Sequence, residues 1–254
     1  MGIENDPYIL IHENRVCSGI VLCHGFTGST AEIHACGHWL FEQGFHAAAV
    51  LLPGHGSTTA DLAQTHWPDW YNQVQQSYLN MCQRTDKVFL LGVSLGGLLC
   101  LRVASVHPNV AGVITMGTPL KLMDPLARRW IIQLGRLFIQ NSATEVKPGQ
   151  KGYYYDERPL TSILELMDVR DEVRKRLPQV RCPVFIMHSR RDPTASFKAV
   201  KIMTRHLGSQ QVYVYSTDLP EHVFLPPYNN PGYMKVWEPI RSFIRNPAVN
   251  PVTP

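Results

Sequence analysis

The chain has 254 residues, 44% of them apolar, which suits one α/β unit with a sizeable core and excludes a disordered chain. A net charge of +4 is too small to indicate nucleic-acid binding. Six cysteines with no CxxC pair among them give no support for a zinc or redox motif.

The start, MGIENDPYIL, lacks a basic segment followed by a long apolar one, so no signal peptide is expected. The Met-Gly pair would need Ser or Thr where Asp6 stands to match a myristoylation site. A reducing, cytoplasmic setting is therefore the default, and Cys23 and Cys100, both in apolar runs, read as small buried hydrophobes. YILIHEN predicts an antiparallel edge strand.

GIVLCHG (19–25) reads as a buried strand ending in a turn, and residues 29–45 as a helix with a Ser29 or Thr30 cap, stopped at Gly44. HAAAVLLPG (46–54) is a second strand, and residues 67–82 are a helix with Pro68 in its first turn. KVFLLGVS (87–94) is a third strand, followed by a helix that stops before Pro108. GVITMGTP (112–119) is a fourth strand, residues 182–192 hold a fifth, residues 196–207 a helix, and QVYVYST (211–217) a sixth strand. Residues 233–244 close the pattern as a helix. Continuous apolar strands alternating with helices mean an α/β fold: a mainly parallel central sheet with helices on both faces.

The rhythm breaks between the fourth and fifth strands. Residues 120–180 predict a small helical cap inserted after the fourth main strand, so residues 1–119 and 181–254 form the core. Residues 120–205 hold 17 Lys/Arg against 9 Asp/Glu, whereas the rest holds 7 against 11. That basic segment reads first as a solvated helical surface, and peripheral contact with anionic lipid is its alternative. At helical spacing, Trp130, Ile131, Leu134, Leu137 and Phe138 read equally as an acyl-chain pocket or as core.

No charge interrupts residues 88–101, which raises the question of a membrane span. Lys87 and Arg102 bound a stretch shorter than the ~20 residues a span requires, and Gly92, Gly96 and Gly97 break it. GVSLGG instead matches G-x-S-x-G, in which a serine sits on a strained turn between a strand and a helix. Ser94 is then the candidate nucleophile. The helix opening at Leu95 points its free N–H groups at the place where oxyanion charge develops.

A serine hydroxyl needs a base. In this architecture the partners follow in the order Ser, acid, His, each at the C-terminal end of a strand. His222 follows the sixth strand and Asp192 the fifth. Asp218 would have to fold back on its own loop, and Asp168 and Asp171 read as exposed face residues. His188 precedes the acid and reads as structural, as do His24 in its turn and His55 between two glycines. His107 and His206, at helix ends, are expected to meet terminal carbonyls. The two backbone donors of an oxyanion hole fall to Leu95, after the nucleophile, and Phe26 in HGFTGST.

The succession HGFTGS, PGHG, DWYNQV, GVSLGG, HSRRD and EHVFL resembles the α/β-hydrolase superfamily. Within it, the chain is similar to small bacterial carboxylesterases related to monoacylglycerol lipases, from about Gly19 to the last helix. The resemblance implies Ser94 as nucleophile, His222 as general base, Asp192 as orienting acid, and Phe26 and Leu95 as oxyanion donors. It departs at Glu221, where such esterases have Gly, at Pro193 after the acid, and in the Pro-rich FLPPYNNPGY, which bear on loop shape. The expected activity is hydrolysis of a small-molecule carboxylic ester of short to medium acyl chain, with no metal or organic cofactor. Thioester, amide or C–C bond cleavage by the same residues, and a non-catalytic ligand-binding protein on this fold, are the alternatives.

Overall fold

The computed structural model describes residues 5–13, 17–122, 132–133, 139–143, 154–227 and 230–252. Seven strands form one sheet: β1 (Tyr8–Leu10), β2 (Gly19–Cys23), β3 (His46–Val50), β4 (Val88–Val93), β5 (Gly112–Met116), β8 (Val184–Ser189) and β9 (Val212–Thr217). Their order is β1-β3-β2-β4-β5-β8-β9. β1 pairs antiparallel with β3, Ile9 opposite Ala48, and every other pair in this sheet is parallel. β2, β3, β4, β5 and β8 are buried at every position, which is why they read as unbroken apolar runs.

Alternation along the strands feeds two cores. Ile20, Leu22, Phe89, Leu91, Ile114 and Phe185 face α1 (His34–Glu42) and the C-terminal helix α7 (Met234–Arg245). Val21, Leu90, Val113, Val184 and Ile186 face the other layer. That layer holds α3 (Trp67–Cys82), α4 (Leu95–Ala104), α5 (Leu160–Arg176) and α6 (Lys198–His206). A short α2 (Thr59–Ala63), which periodicity alone did not suggest, is closed by a Thr58–Asp61 capping box.

The uncharged stretch is explained by α4. Every residue of that helix except Arg102 is buried, because α3 and α5 cover it. Arg102 lies 3.7 Å from Glu172 and over the Tyr71 ring. Among the described residues no helix is long and apolar enough to cross a membrane. Cys23 and Cys100 are fully buried, and burial pushes both thiols up from their ordinary range.

The segment between β5 and β8 is not purely helical. A two-stranded antiparallel ladder joins β6 (Asn141–Ala143) to β7 (Glu157–Pro159), Ser142 opposite Arg158. α5 carries Leu166, Val169 and Val173 into the main core, so it belongs by packing to the helical layer. Leu164 and Met167 form a small satellite cluster with Ile132, against which Leu160 and Ile163 pack. Trp130, Ile131, Leu134, Leu137 and Phe138 lie outside the described residues.

Candidate active site

Ser94 occupies the turn between β4 and α4, at the C-terminal edge of the sheet. Its backbone lies at φ 50°, ψ −113°, a region that L residues rarely adopt. The Ser94 N–H donates to Met116 O on β5 at 2.7 Å, and the Gly97 N–H donates back to Ser94 O at 3.0 Å. The glycines on either side are required by contact. A Cβ on Gly92 would fall 2.2 Å from the Gly96 carbonyl carbon and oxygen, and one on Gly96 would fall 2.3 Å from Cys23 O. Strand and helix backbones therefore approach closely enough to hold the turn shut.

The three side chains expected from the sequence meet here, although 128 residues separate Ser94 from His222. The Ser94 hydroxyl and His222 Nε2 are 2.7 Å apart, and His222 Nδ1 and Asp192 Oδ2 are also 2.7 Å apart. Ser94 is 8% exposed and Asp192 6%, while the His222 side chain is 17% exposed. An ionised Asp192 accepts at Oδ2, so the proton belongs on Nδ1 and Nε2 is left to accept from the serine.

The second oxygen of Asp192 is also held. Oδ1 accepts the Thr194 N–H at 2.7 Å and the Ala195 N–H at 2.8 Å. Pro193 fits this geometry because it offers no N–H of its own and leaves the carboxylate to the next two amides. The fully buried His188 sits behind: its Nε2 donates to Ala195 O at 3.0 Å and lies 3.5 Å from Asp192 Oδ2. Burial lowers the His188 pKa, which favours the neutral ring.

The Pro-rich segment after His222 is an anchor. Val223, Phe224 and Leu225 are buried in the core under α7. The buried Asn230 donates to Phe224 O at 3.1 Å and the Trp237 indole N–H to Leu225 O at 3.0 Å. The apolar VFL run straight after the histidine was the sequence signal for this anchor.

On the other side lies the loop after β2. The His24 Nδ1–H donates to Gly25 O at 2.8 Å, and Nε2 accepts the Leu52 N–H at 3.1 Å. Burial lowers the pKa of His24 to about 4 and of His55, which donates to Pro53 O, to about 3. Both are neutral structural rings, as the sequence suggested. Phe26 packs near His55 and Trp70. Leu95 opens α4, so its N–H has no acceptor within the helix. His107 differs from expectation: its ring meets the Gln75 side chain at 2.8 Å, because α3 lies alongside the end of α4.

Sequence reasoning missed Glu32. It is 2% exposed, and its Oε2 accepts the Gly25 N–H at 2.6 Å. A buried acid seven residues after a glycine turn carries no recognisable spacing; its burial emerges only in three dimensions. Among the described residues no group of three or more His, Cys, Asp or Glu could hold a metal ion.

Residues 15–152 match the family described as serine aminopeptidase, S33. A thermostable monoacylglycerol lipase of Bacillus sp. (strain H-257) is 25% identical over 216 residues, 84% of this chain and 86% of that protein. A carboxylesterase of Bacillus subtilis (strain 168) is 24% identical over 189 residues, 72% of this chain and 76% of that protein. Among solved structures, one from the pair of metagenome-derived lipolytic enzymes LipS and LipT superposes with a TM-score of 0.85 at 22% identity. It covers 95% of this chain and 97% of its own.

Proposed function

This chain belongs to the serine aminopeptidase S33 family and has the α/β-hydrolase fold, and on that premise we propose that it is a carboxylic ester hydrolase acting through an acyl-enzyme on esters of short to medium acyl chains. The hydrogen-bonded run from Ser94 through His222 to Asp192, 2.7 Å at each step, is the observation that carries this reading. The lipase and carboxylesterase among its relatives support ester hydrolysis.

In this mechanism the Ser94 hydroxyl attacks the ester carbonyl while His222 Nε2 takes its proton. The imidazolium then passes that proton to the departing alkoxide, leaving an alcohol and an ester on Ser94. Water, deprotonated by the same nitrogen, attacks that ester; the bond to Ser94 Oγ breaks, the imidazolium returns the proton to Oγ, and the carboxylic acid leaves. Asp192 holds the Nδ1–H tautomer and stabilises the imidazolium. The tetrahedral oxyanion of each half-reaction is held by the N–H groups of Leu95 and Phe26, and one such donor is worth roughly 10²–10³ in kcat. No step calls for a metal or an organic cofactor. The inserted stretch, residues 120–180, serves as a cap rooted on the core by α5. Tyr155 of that stretch reaches the core loops: its N–H donates to Thr27 O at 3.3 Å and its hydroxyl to Gly54 O at 2.9 Å.

A panel of matched ester, thioester and amide substrates of increasing acyl length tests the reading. Esters of short to medium chain are expected to turn over fastest, with Ser94→Ala reducing turnover by at least about 10³-fold. Amides or thioesters outrunning the matched esters would contradict it.

A further inference from the structure

Among the described residues, the mechanism leaves one buried acid, Glu32, without a task. Glu32 ends the short turn Thr30–Glu32 that leads into α1, and its side chain points back beneath the loop after β2. Gly25 is wedged between two groups: a Cβ there would lie 3.3 Å from Glu32 Oε2 on one side and 3.3 Å from Ser94 Cβ on the other. Gly28 packs on the same carboxyl, with a Cβ position 2.9 Å from Glu32 Cδ. The next residue back, Thr27, is at φ 61°, so the loop holds a conformation that branched side chains rarely adopt. A strained segment persists only where its surroundings over-determine it. The His24 ring and the Gly28 N–H hold Gly25 O, and a buried carboxyl group grips the Gly25 N–H directly before Phe26.

A second contact reaches the carboxyl from the inserted stretch, where the Tyr154 hydroxyl donates a hydrogen bond to it. The neighbouring Tyr155 N–H bonds Thr27 O, so two consecutive tyrosines tie the insert to this one loop. Burial raises the Glu32 pKa, while Tyr154, the Gly25 N–H and the nearby His222 act in the opposite direction. Cys23, buried at the end of β2, also faces it.

We propose that Glu32 is a positioning residue for ester hydrolysis. It fixes the Gly25 amide so that the following Phe26 N–H is aimed at the oxyanion, and Tyr154 locks the carboxylate from the inserted stretch. The inference rests on the ester-hydrolase reading above. Glu32 touches no substrate; it acts through the peptide it holds. Its removal should therefore weaken the transition state more than substrate binding.

Steady-state kinetics on one chromogenic ester for wild type, Glu32→Ala, Glu32→Gln and Tyr154→Phe test this. Glu32→Ala is expected to lower kcat about tenfold or more with KM within about twofold, since a misplaced oxyanion donor acts in the transition state. Glu32→Gln, whose amide oxygen can still accept the Gly25 N–H, should recover kcat to within about threefold of wild type, and Tyr154→Phe should lower it by about threefold. Full kcat in Glu32→Ala overturns the proposal, as does a change confined to KM or equal losses in Ala and Gln. If Glu32→Ala does not fold, an unchanged kcat in Tyr154→Phe overturns it. A wild type that hydrolyses no ester overturns the hydrolase reading and this inference with it. An active wild type beside a fully active Glu32→Ala overturns the role of Glu32 alone.

Discussion

Ser94 holds a backbone conformation that costs on the order of 1–3 kcal/mol, and the neighbouring structure restrains it on every side. Its N–H is tied to Met116 O and its side chain to His222. His222 is held in turn by a carboxylate whose remaining oxygen is saturated by two backbone N–H groups. Such a carboxylate has no reason to move when the histidine takes a proton. Asp192→Asn should therefore keep the fold and KM while lowering kcat by roughly 10²–10⁴, because an amide can present the wrong hydrogen-bonding partner to Nδ1. Steady-state kinetics together with a thermal melt check this, and a kcat within tenfold of wild type would speak against the assigned role.

At the scale of elements, the elbow is a close approach of β4 to α4. Gly92→Ala must push Cβ into the Gly96 peptide at 2.2 Å, and the intruded atoms are backbone, so the helix has to shift. A loss of at least about 3 kcal/mol is expected, at the upper end of single substitutions. A urea midpoint matching wild type would contradict the packing argument. Much of this layer was legible in the sequence because buried parallel strands announce themselves as unbroken apolar runs, and α3 was bounded correctly from its Pro and periodicity. The edge strand β1 was readable from YILIHEN alone. The inserted stretch was harder. α5 carries apolar residues toward two different clusters, so its pattern could not tell a cap helix from a core helix. The residues β6 and β7 contribute are only three each, too few for a period-two signal.

The candidate site was legible for the same reason that it is conspicuous in chemistry. Ser94, Asp192 and His222 each follow the C-terminal end of a strand, so their sequence order alone puts them at one edge of a parallel sheet. Glu32 and Asn230 were not legible, since each acts by burial against a loop that periodicity does not describe, whereas His188 already read as structural from its place before the acid.

For the whole molecule, two of the buried histidines, His24 and His55, link stability to pH most strongly. Their folded pKa values, about 4 for His24 and about 3 for His55, lie below the ordinary histidine value of 6.5. Below pH 6.5 the unfolded chain binds protons that the folded chain refuses, so stability falls as pH drops from about 6.5 toward 4. Each unit costs up to about 1.4 kcal/mol per ring. Urea melts at pH 7 and pH 5 should show this loss, and His55→Asn should reduce it; an unchanged slope in that variant would contradict the assignment. The concentration of positive charge between residues 120 and 205 makes a different prediction at the same scale. If it only solvates the surface, hydrolysis of a soluble ester and of an ester in anionic vesicles should respond alike to salt. Vesicle activity that falls alone with ionic strength would indicate lipid contact.

The central claim is that Ser94, activated by His222, is the atom that takes the acyl group. Exposure of the folded protein to a fluorophosphonate, followed by peptide mass spectrometry, tests it most directly. One phosphonyl adduct on the peptide carrying Ser94 is predicted, absent in Ser94→Ala and formed at least about 10²-fold more slowly in His222→Ala. A folded wild type that stays unmodified, or equal labelling in Ser94→Ala, would contradict the account.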